Sequence, residues 1–582
     1  MERTRLVFVL IILVAVAIIG SAALLSNPGS SDQGAADQGG TQATEMPASS
    51  VQVLVASSNT KQLWMDRMVA QFNAQQVTTS TGEVVVVEVE HVGSGSSMNA
   101  ILEEQLQPVV WSPGSSTWVE QINRAWLDRN ARRLISDECP ATVDVPLGIA
   151  MWQPMAEVLG WPDAPISWRD LAELAADPDG WASLGHPEWG VFRFGHGHPA
   201  HSNSGMLSMI AEVYSAAGVS EGLTPDDVWS ESVVSAVGAV ETAVFHYGRK
   251  DTDLLGRMTL RGPGYLHAVT TYEGNVIRWN QEHADELRFP LVMIYPADGT
   301  FWVDNPFCVL NNADWVTETQ IEGAQLFRDF ILGREQQAQL IETGLRPALQ
   351  GIPLHEPISL EYGAVPTITE DTVSALPYPS DEVVRHILDM WYQVKKPATI
   401  LMVIDTSGSM QGEKMRAAVD AAREFITLMQ PNDEIVALAF NYEVFSVGPS
   451  GLVGEVGEEL RQSLDNLIAI GGTALHAVTI DAIDRIEAMR AEDLANGERR
   501  SYAIVLMTDG RNESNDGVTE AQMLSALPDG TESDEVRLYT IAYGEDANTD
   551  LLATMANRTN GKTYVSTPEN IRDIYFLISS EF

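Results

Sequence analysis

Asp405-Thr406-Ser407-Gly408-Ser409 decides the reading of this chain. It closes an apolar strand and opens an amphipathic helix, and Asp405, Ser407 and Ser409 pack three oxygen-bearing side chains into five residues. The run Thr399 to Ile404 ahead of it is β-rich and unbroken, as a strand buried on both faces of a parallel sheet should be. Downstream, Met415, Ala418, Val419, Ala422, Phe425, Ile426 and Met429 recur at steps of three and four, which predicts a helix with one buried stripe. The loop between them therefore lies at the carboxyl end of a strand, where open α/β sheets place ligands. Oxygen donors there suit a hard cation, Mg2+ first, with Mn2+ or Ca2+ as alternatives.

Two later segments extend this loop. Thr473 stands in Gly471-Gly472-Thr473 ahead of another predicted helix, and Asp509 follows the strand Tyr502 to Met507. With these the chain resembles the von Willebrand factor A domain, whose metal-ion-dependent adhesion site reads D-x-S-x-S, then a Thr, then an Asp in a T-D-G-like turn. The resemblance covers residues 398–582 and implies a Rossmann-like, doubly wound fold. It further implies that Ser407, Ser409 and Thr473 coordinate the ion directly, while Asp405 and Asp509 hold coordinated waters. An acidic protein or surface ligand would complete the coordination. The competing reading of the pentapeptide alone is a helix cap, since Asp and Ser are favoured there.

The chain has 582 residues, too many for one core, and a net charge of −45 from 80 acidic against 35 basic side chains. Such a field repels phosphate backbones, so no nucleic-acid partner is expected. Residues 6–25 form an apolar run long enough to span a bilayer, preceded by Arg3 and Arg5. The next basic residue is Lys61, which puts residues 1–5 in the cytoplasm and the remainder outside. The expectation is a single-pass cell-membrane protein with extracytoplasmic domains; a cleaved signal peptide is the competing view. Residues 26–50, rich in Ser, Gly, Gln and Asp, read as a disordered linker.

From Val51 the texture becomes strand, helix, strand, and Gly- and Ser-containing loops follow the strands at Ser57-Ser58, Gly93 to Ser96, Ser112 to Ser116 and Ser202 to Gly205. Loops of this kind present amides and hydroxyls to a polar solute or anion. Residues 51–361 resemble a two-lobed periplasmic-type solute-binding protein, with Gly148 to Trp152 as a candidate crossing strand. By that resemblance Ser57, Ser58, Ser115, Ser116, Ser204 and Tyr272 line an interlobe cleft for a small solute or oxyanion. For each Ser taken alone, a turn or helix cap is an equal alternative.

His196, His198 and His201 have a spacing that could gather imidazoles around a metal, although no neighbouring Cys or carboxylate completes a set. Cys139 and Cys308 admit one disulfide in an oxidising compartment. Residues 362–397 read as a connector, whose helix Asp381 to Val394 carries an apolar stripe of Val383, Val384, Ile387, Leu388 and Trp391 that needs a surface to cover. No nucleophile elbow, phosphate loop or zinc-protease helix is present, so no enzymatic reaction is expected. The sequence thus predicts an anchored binding or adhesion protein. The alternative is the substrate receptor of an ABC-type transporter, with the A domain as spacer or interaction module.

Overall fold

The computed structural model describes residues 49–582 except 249, 514–516, 529–535 and 545–546. The predicted membrane span, residues 6–25, and nearly all of the predicted linker lie outside the described residues. Among those described, no helix is long and apolar enough to cross a membrane.

The first region is α/β and two-lobed. Its strands are β1 (Ser50–Ser57), β2 (Val84–His91), β3 (Val110–Ser112), β4 (Val145–Trp152), β5 (Phe194–Gly197), β6 (Val244–Gly248), β7 (Ala268–Tyr272), β8 (Leu291–Ile294), β9 (Trp302–Val303) and β10 (Cys308–Val309). One lobe is built on the sheet order β10-β3-β1-β2, the other on β6-β5-β7-β4-β8, with β9 added to β4. β1 alternates Val51, Val53 and Val55 into the core, the period-2 pattern of a strand with one face wholly covered.

The chain passes between the lobes three times, side by side: at 142–146, at 303–305 and at 344–347, where Asp144 N–H donates to Arg346 O at 3.0 Å and Val143 bridges Pro347. Thr142 and Val143 N–H both donate to Asp304 O, at 3.0 and 3.3 Å, and Val145 pairs with Val303. The crossing is therefore at 142–146, not at Gly148 to Trp152. That segment lies inside β4, paired on both sides in the second lobe's sheet, and so serves as core. Cys139 and Cys308 are joined in a disulfide on the first lobe's side of this crossing.

The second region is a doubly wound sheet of β11 (Ala398–Asp405), β12 (Glu434–Phe440), β13 (Val444–Ser446), β14 (Gly451–Leu452), β15 (Ser501–Thr508), β16 (Arg537–Tyr543) and β17 (Thr563–Ser566). Their order is β13-β12-β11-β15-β16-β17, with β14 paired to β12. Every residue of β11 is buried. Ile400, Met402 and Ile404 pack with the helices Glu413–Leu428 and Ile571–Ser579, whereas Leu401 and Val403 pack with Leu475–Ala495 on the opposite face. At about 1.5–3 kcal/mol for each such side chain, this burial outweighs any local preference of the strand.

The connector helix Asp381–Val394 covers its stripe against the second lobe, burying Val383, Ile387, Met390 and Trp391; Val384 and Leu388, expected on that stripe, are only half-buried. Trp391 Nε1 donates to Glu241 Oε2 at 2.9 Å. The A-type region docks on the same lobe. Arg257 donates to both oxygens of Glu581, Arg537 Nη2 reaches Phe245 O, and Lys396 Nζ reaches Val244 O at 3.3 Å. The first lobe reaches the connector through the solvent-exposed ion pair Arg124–Asp381.

Candidate functional site

β11 and β15 are neighbours, so the loops leaving their carboxyl ends face one another. Asp405 is the last residue of β11, Asp509 follows β15, and Thr473 precedes the Leu475–Ala495 helix. The three loops are tied by backbone bonds: Gly408 N–H to Gly471 O at 2.9 Å, Ile470 N–H to Thr406 O at 2.7 Å, and Glu513 N–H to Thr473 O at 2.8 Å.

The side chains meet inside that frame. Ser407 Oγ and Ser409 Oγ are 3.0 Å apart, and Ser409 Oγ donates to Asp509 Oδ1 at 2.7 Å. Asp405 accepts from Ser407 N–H at 2.7 Å and from Thr508 Oγ1 at 2.6 Å. Thr473 Oγ1 faces Gly510, where an added Cβ would stand only 3.2 Å from it, a close approach that favours glycine. Asp405, Ser407, Thr473 and Asp509 are buried, and Ser409 is exposed. Burial pushes the Asp405 carboxyl up, and the bonds from Thr508 and Ser407 hold part of that back. All five predicted residues thus come together, on the frame of the strand ends.

The donors are hydroxyl and carboxylate oxygens, the set a hard divalent cation takes. Lys414, unassigned from sequence, brings its Nζ to Asp509 Oδ2 at 2.5 Å. Its position five residues beyond Ser409, in the first turn of the following helix, is the signal that was available. The histidines do not form a metal centre. Both ring nitrogens of His196 are engaged, Nε2 with Glu241 Oε1 at 3.0 Å and Nδ1 with Gly197 O at 2.7 Å, while His198 stacks on His201.

A second site lies between the lobes. A cavity of about 710 Å³ is lined by Lys61 from the first lobe and by Lys250, Asp251, Tyr272, Asn275 and Arg278 from the second. Of the six residues predicted for a cleft, Tyr272 alone lines it, its hydroxyl accepting from Asn203 Nδ2 at 3.0 Å. The hydroxyls of Ser57, Ser58, Ser115 and Ser204 each have a protein partner in this structure. Ser57 Oγ donates to Ser58 O at 3.2 Å, and Ser58 Oγ to Asn305 Oδ1 at 2.8 Å. Ser115 Oγ accepts from Thr117 N–H at 3.3 Å, and Ser204 Oγ lies 3.0 Å from Ser202 Oγ. Ser116 is exposed and gives its N–H to Asp304 Oδ1 at 2.9 Å.

Lys61 was missed because it looks like an ordinary surface lysine at the start of a helix. It is buried, with Nζ on Asn305 Oδ1 at 3.1 Å and Ser112 O at 3.4 Å, both neutral acceptors. Burial pushes its amine down to about 7, against a partial upward pull from Asp304. Across the cleft, Asp251 accepts from Thr271 Oγ1 at 2.6 Å and Asn275 Nδ2 at 3.0 Å.

Comparison with known proteins gives the same division. Residues 53–346 match the family model of bacterial extracellular solute-binding proteins, and residues 399–576 that of the von Willebrand factor type A domain. An uncharacterized protein of Synechocystis sp. is 28% identical over 176 residues, 30% of this chain and 38% of that one. Inter-alpha-trypsin inhibitor heavy chain H2 of Mus musculus is 25% identical over 168 residues, 28% and 17% of the two chains. The chain thus spans well under half the length of these curated relatives. Among solved structures, the fructose-6-phosphate-bound periplasmic binding protein AfuA from Actinobacillus pleuropneumoniae aligns with 16% identity and a TM-score of 0.38, covering 59% of this chain and 98% of that one. By the match over its residues 53–346, this chain belongs to the bacterial extracellular solute-binding proteins, and it carries a von Willebrand factor type A domain behind the solute-binding one.

Proposed function

We propose that the protein is a membrane-anchored, extracytoplasmic receptor that holds a small anionic solute between its lobes and an acidic group of a partner at the Asp405–Ser409 loop. The observation that carries the reading is the convergence of Ser407, Ser409 and Asp509 within 3.0 Å contacts beside Asp405 and Thr473. A Mg2+ or Mn2+ ion bound there would supply Lewis acidity toward a carboxylate. The hydroxyls of Ser407, Ser409 and Thr473 would hold the ion, and the two aspartates would orient water beside it. With Asp509 already paired to Lys414, the loop offers little negative charge of its own, so an acidic partner meets no strong repulsion. The apolar run 6–25 with Arg3 and Arg5 supports the anchor and its orientation.

Titration calorimetry of the full chain with MnCl2 tests the metal reading. Saturable binding that is lost in Asp405→Ala and in Thr473→Ala is expected. Mn2+ binding that is absent, or that survives both substitutions, overturns it.

The interlobe cavity favours a second reading, a transport receptor in which the A domain is a spacer. Lys250, Arg278 and the amine of Lys61 there supply hydrogen-bond donors beside the acids Asp251 and Glu282, which supports a solute rich in oxygen acceptors, such as an oxyanion. Solute-induced stabilisation that is indifferent to EDTA, with no metal-dependent partner binding, would favour this alternative.

A further inference from the structure

Three large apolar side chains stand in water beside the metal loop: Ile468 is 73% exposed, Tyr442 64% and Ile470 63%. Single exposed hydrophobics are ordinary, but a group of them around one polar site marks an interaction surface. Each belongs to the frame that holds the candidate ligands. Ile470 gives its N–H to Thr406 O at 2.7 Å, and Ala469 O between the two isoleucines accepts from Gln411 Nε2 at 3.3 Å. Tyr442 lies over the Gly471-Gly472 turn that leads into Thr473, so closely that a Cβ on Gly472 would stand 2.4 Å from its ring. Asn441, next to Tyr442, accepts the Ala474 N–H at 2.7 Å through its carbonyl. The rim is thus set by the same backbone bonds as the metal loop and does not need a partner to form.

Charge selects what covers it. Two carboxylates face the loop and one is paired with Lys414, so a divalent cation bound there keeps a net positive charge on a chain that carries −45 overall. A free carboxylate or a phosphate would use that charge and leave the rim in water; a purely apolar ligand would do the reverse. We infer that Tyr442, Ile468 and Ile470 form an apolar docking rim for a protein segment that presents an Asp or Glu flanked by large apolar side chains, the acid going to the metal loop and its neighbours to the rim. This rests on the metal-dependent reading proposed above and names the partner chemistry it serves. Buried apolar anchors beside a charged contact are the usual carriers of affinity in small interfaces.

The test is selection of a phage-displayed random heptapeptide library on the immobilised full chain in Mn2+. Recovered sequences should carry an acid with Leu, Ile, Phe, Tyr or Trp within two positions. The corresponding synthetic peptides should lose about tenfold or more in affinity on Glu→Gln, in EDTA, and toward the combined Tyr442→Ser, Ile468→Ser, Ile470→Ser variant. A second variant, Ile468→Ser with Ile470→Ser, leaves Tyr442 on the Gly471-Gly472 turn and should keep the parent's melting temperature and Mn2+ affinity while still weakening the peptides, because those two side chains are exposed and serve the loop only through backbone groups. Peptides with an acid but no apolar neighbour, or equal affinity for either variant, overturn the rim while leaving the metal site standing. So does recovery of no metal-dependent peptide, or association of two copies of the chain that the three substitutions abolish. Absence of Mn2+ binding overturns the rim and the metal reading together.

Discussion

Arg257 holds Glu581 with two hydrogen bonds, Nη1 to Oε2 at 3.0 Å and Nη2 to Oε1 at 3.1 Å, across the boundary between the solute-binding region and the A domain. The pair is shielded from water, and Tyr564 Oη also donates to Glu581 at 3.0 Å while His246 faces the same carboxylate. Burial alone would push the Glu581 carboxyl up, but Arg257, helped by His246, holds it well below the usual carboxylate range. Burial and the Arg257 charge push the His246 imidazole down to about 3, so it sits there neutral.

Arg257→Met leaves that carboxylate buried without its cation, and the expected cost is about 3–5 kcal/mol. Differential scanning calorimetry should show the parent's melting split, with the A domain unfolding separately. A single unshifted transition would mean the pair does not join the two regions. Because the folded pKa of Glu581 is depressed, its stabilisation is present above its unfolded value near 4.5 and is lost as pH falls below it.

Lys414 competes with a cation for Asp509. Lys414→Met removes a positive charge 2.5 Å from that carboxylate, and Mn2+ should then bind about three- to tenfold more tightly by calorimetry. Weaker binding would instead make Lys414 a brace that keeps Asp509 in place.

Lys61 makes stability depend on pH. Its amine titrates at about 7 in the fold against 10.5 when free, so between those values the unfolded chain holds a proton that the folded chain has released. Stability should therefore rise with pH across that window, by at most about 1.4 kcal/mol per unit. Lys61→Met removes the burial penalty. Urea denaturation should show it more stable than the parent near pH 6.5, with the advantage shrinking toward about pH 9; an advantage equal at both values refutes the assignment.

Cys139 and Cys308 are 169 residues apart, so their bond closes a long loop in the unfolded chain. Replacing both with Ser should cost about 2–5 kcal/mol in urea denaturation. Reductant should lower the parent's midpoint and leave that of the variant alone.

The parts legible in the sequence were those set by local pattern. The strand Thr399 to Ile404 lies within β11 because a short, β-branched apolar run between Pro397 and the Ser407-Gly408-Ser409 turn fits a strand covered on both faces better than a helix. That Asp405, Ser407, Ser409, Thr473 and Asp509 would meet was legible for the same reason: each sits near the end of a recognisable strand or the start of a helix, and the sheet brings those ends together. The cleft was less legible because its chemistry depends on which side chains escape local bonding. Ser115 and Ser58 look available in sequence, but they are used by Thr117 and Asn305. Lys61 looks solvated, yet it is buried. Asn305 lies 244 residues from Lys61, and no window of sequence relates the two.

The buried ties of the A domain, through Glu581, Arg537 and Trp391 of the connector, lead to the second lobe. Mechanically, the second lobe, connector and A domain then act as one block, and the first lobe is an arm joined to it by three chain segments and the Arg124–Asp381 ion pair. If the cleft shuts on a solute, the arm swings and the metal loop stays where it is relative to the block. Whatever grips that loop is held on the side that does not move, so a tethered partner would feel the arm's approach or withdrawal without its own contact being remade.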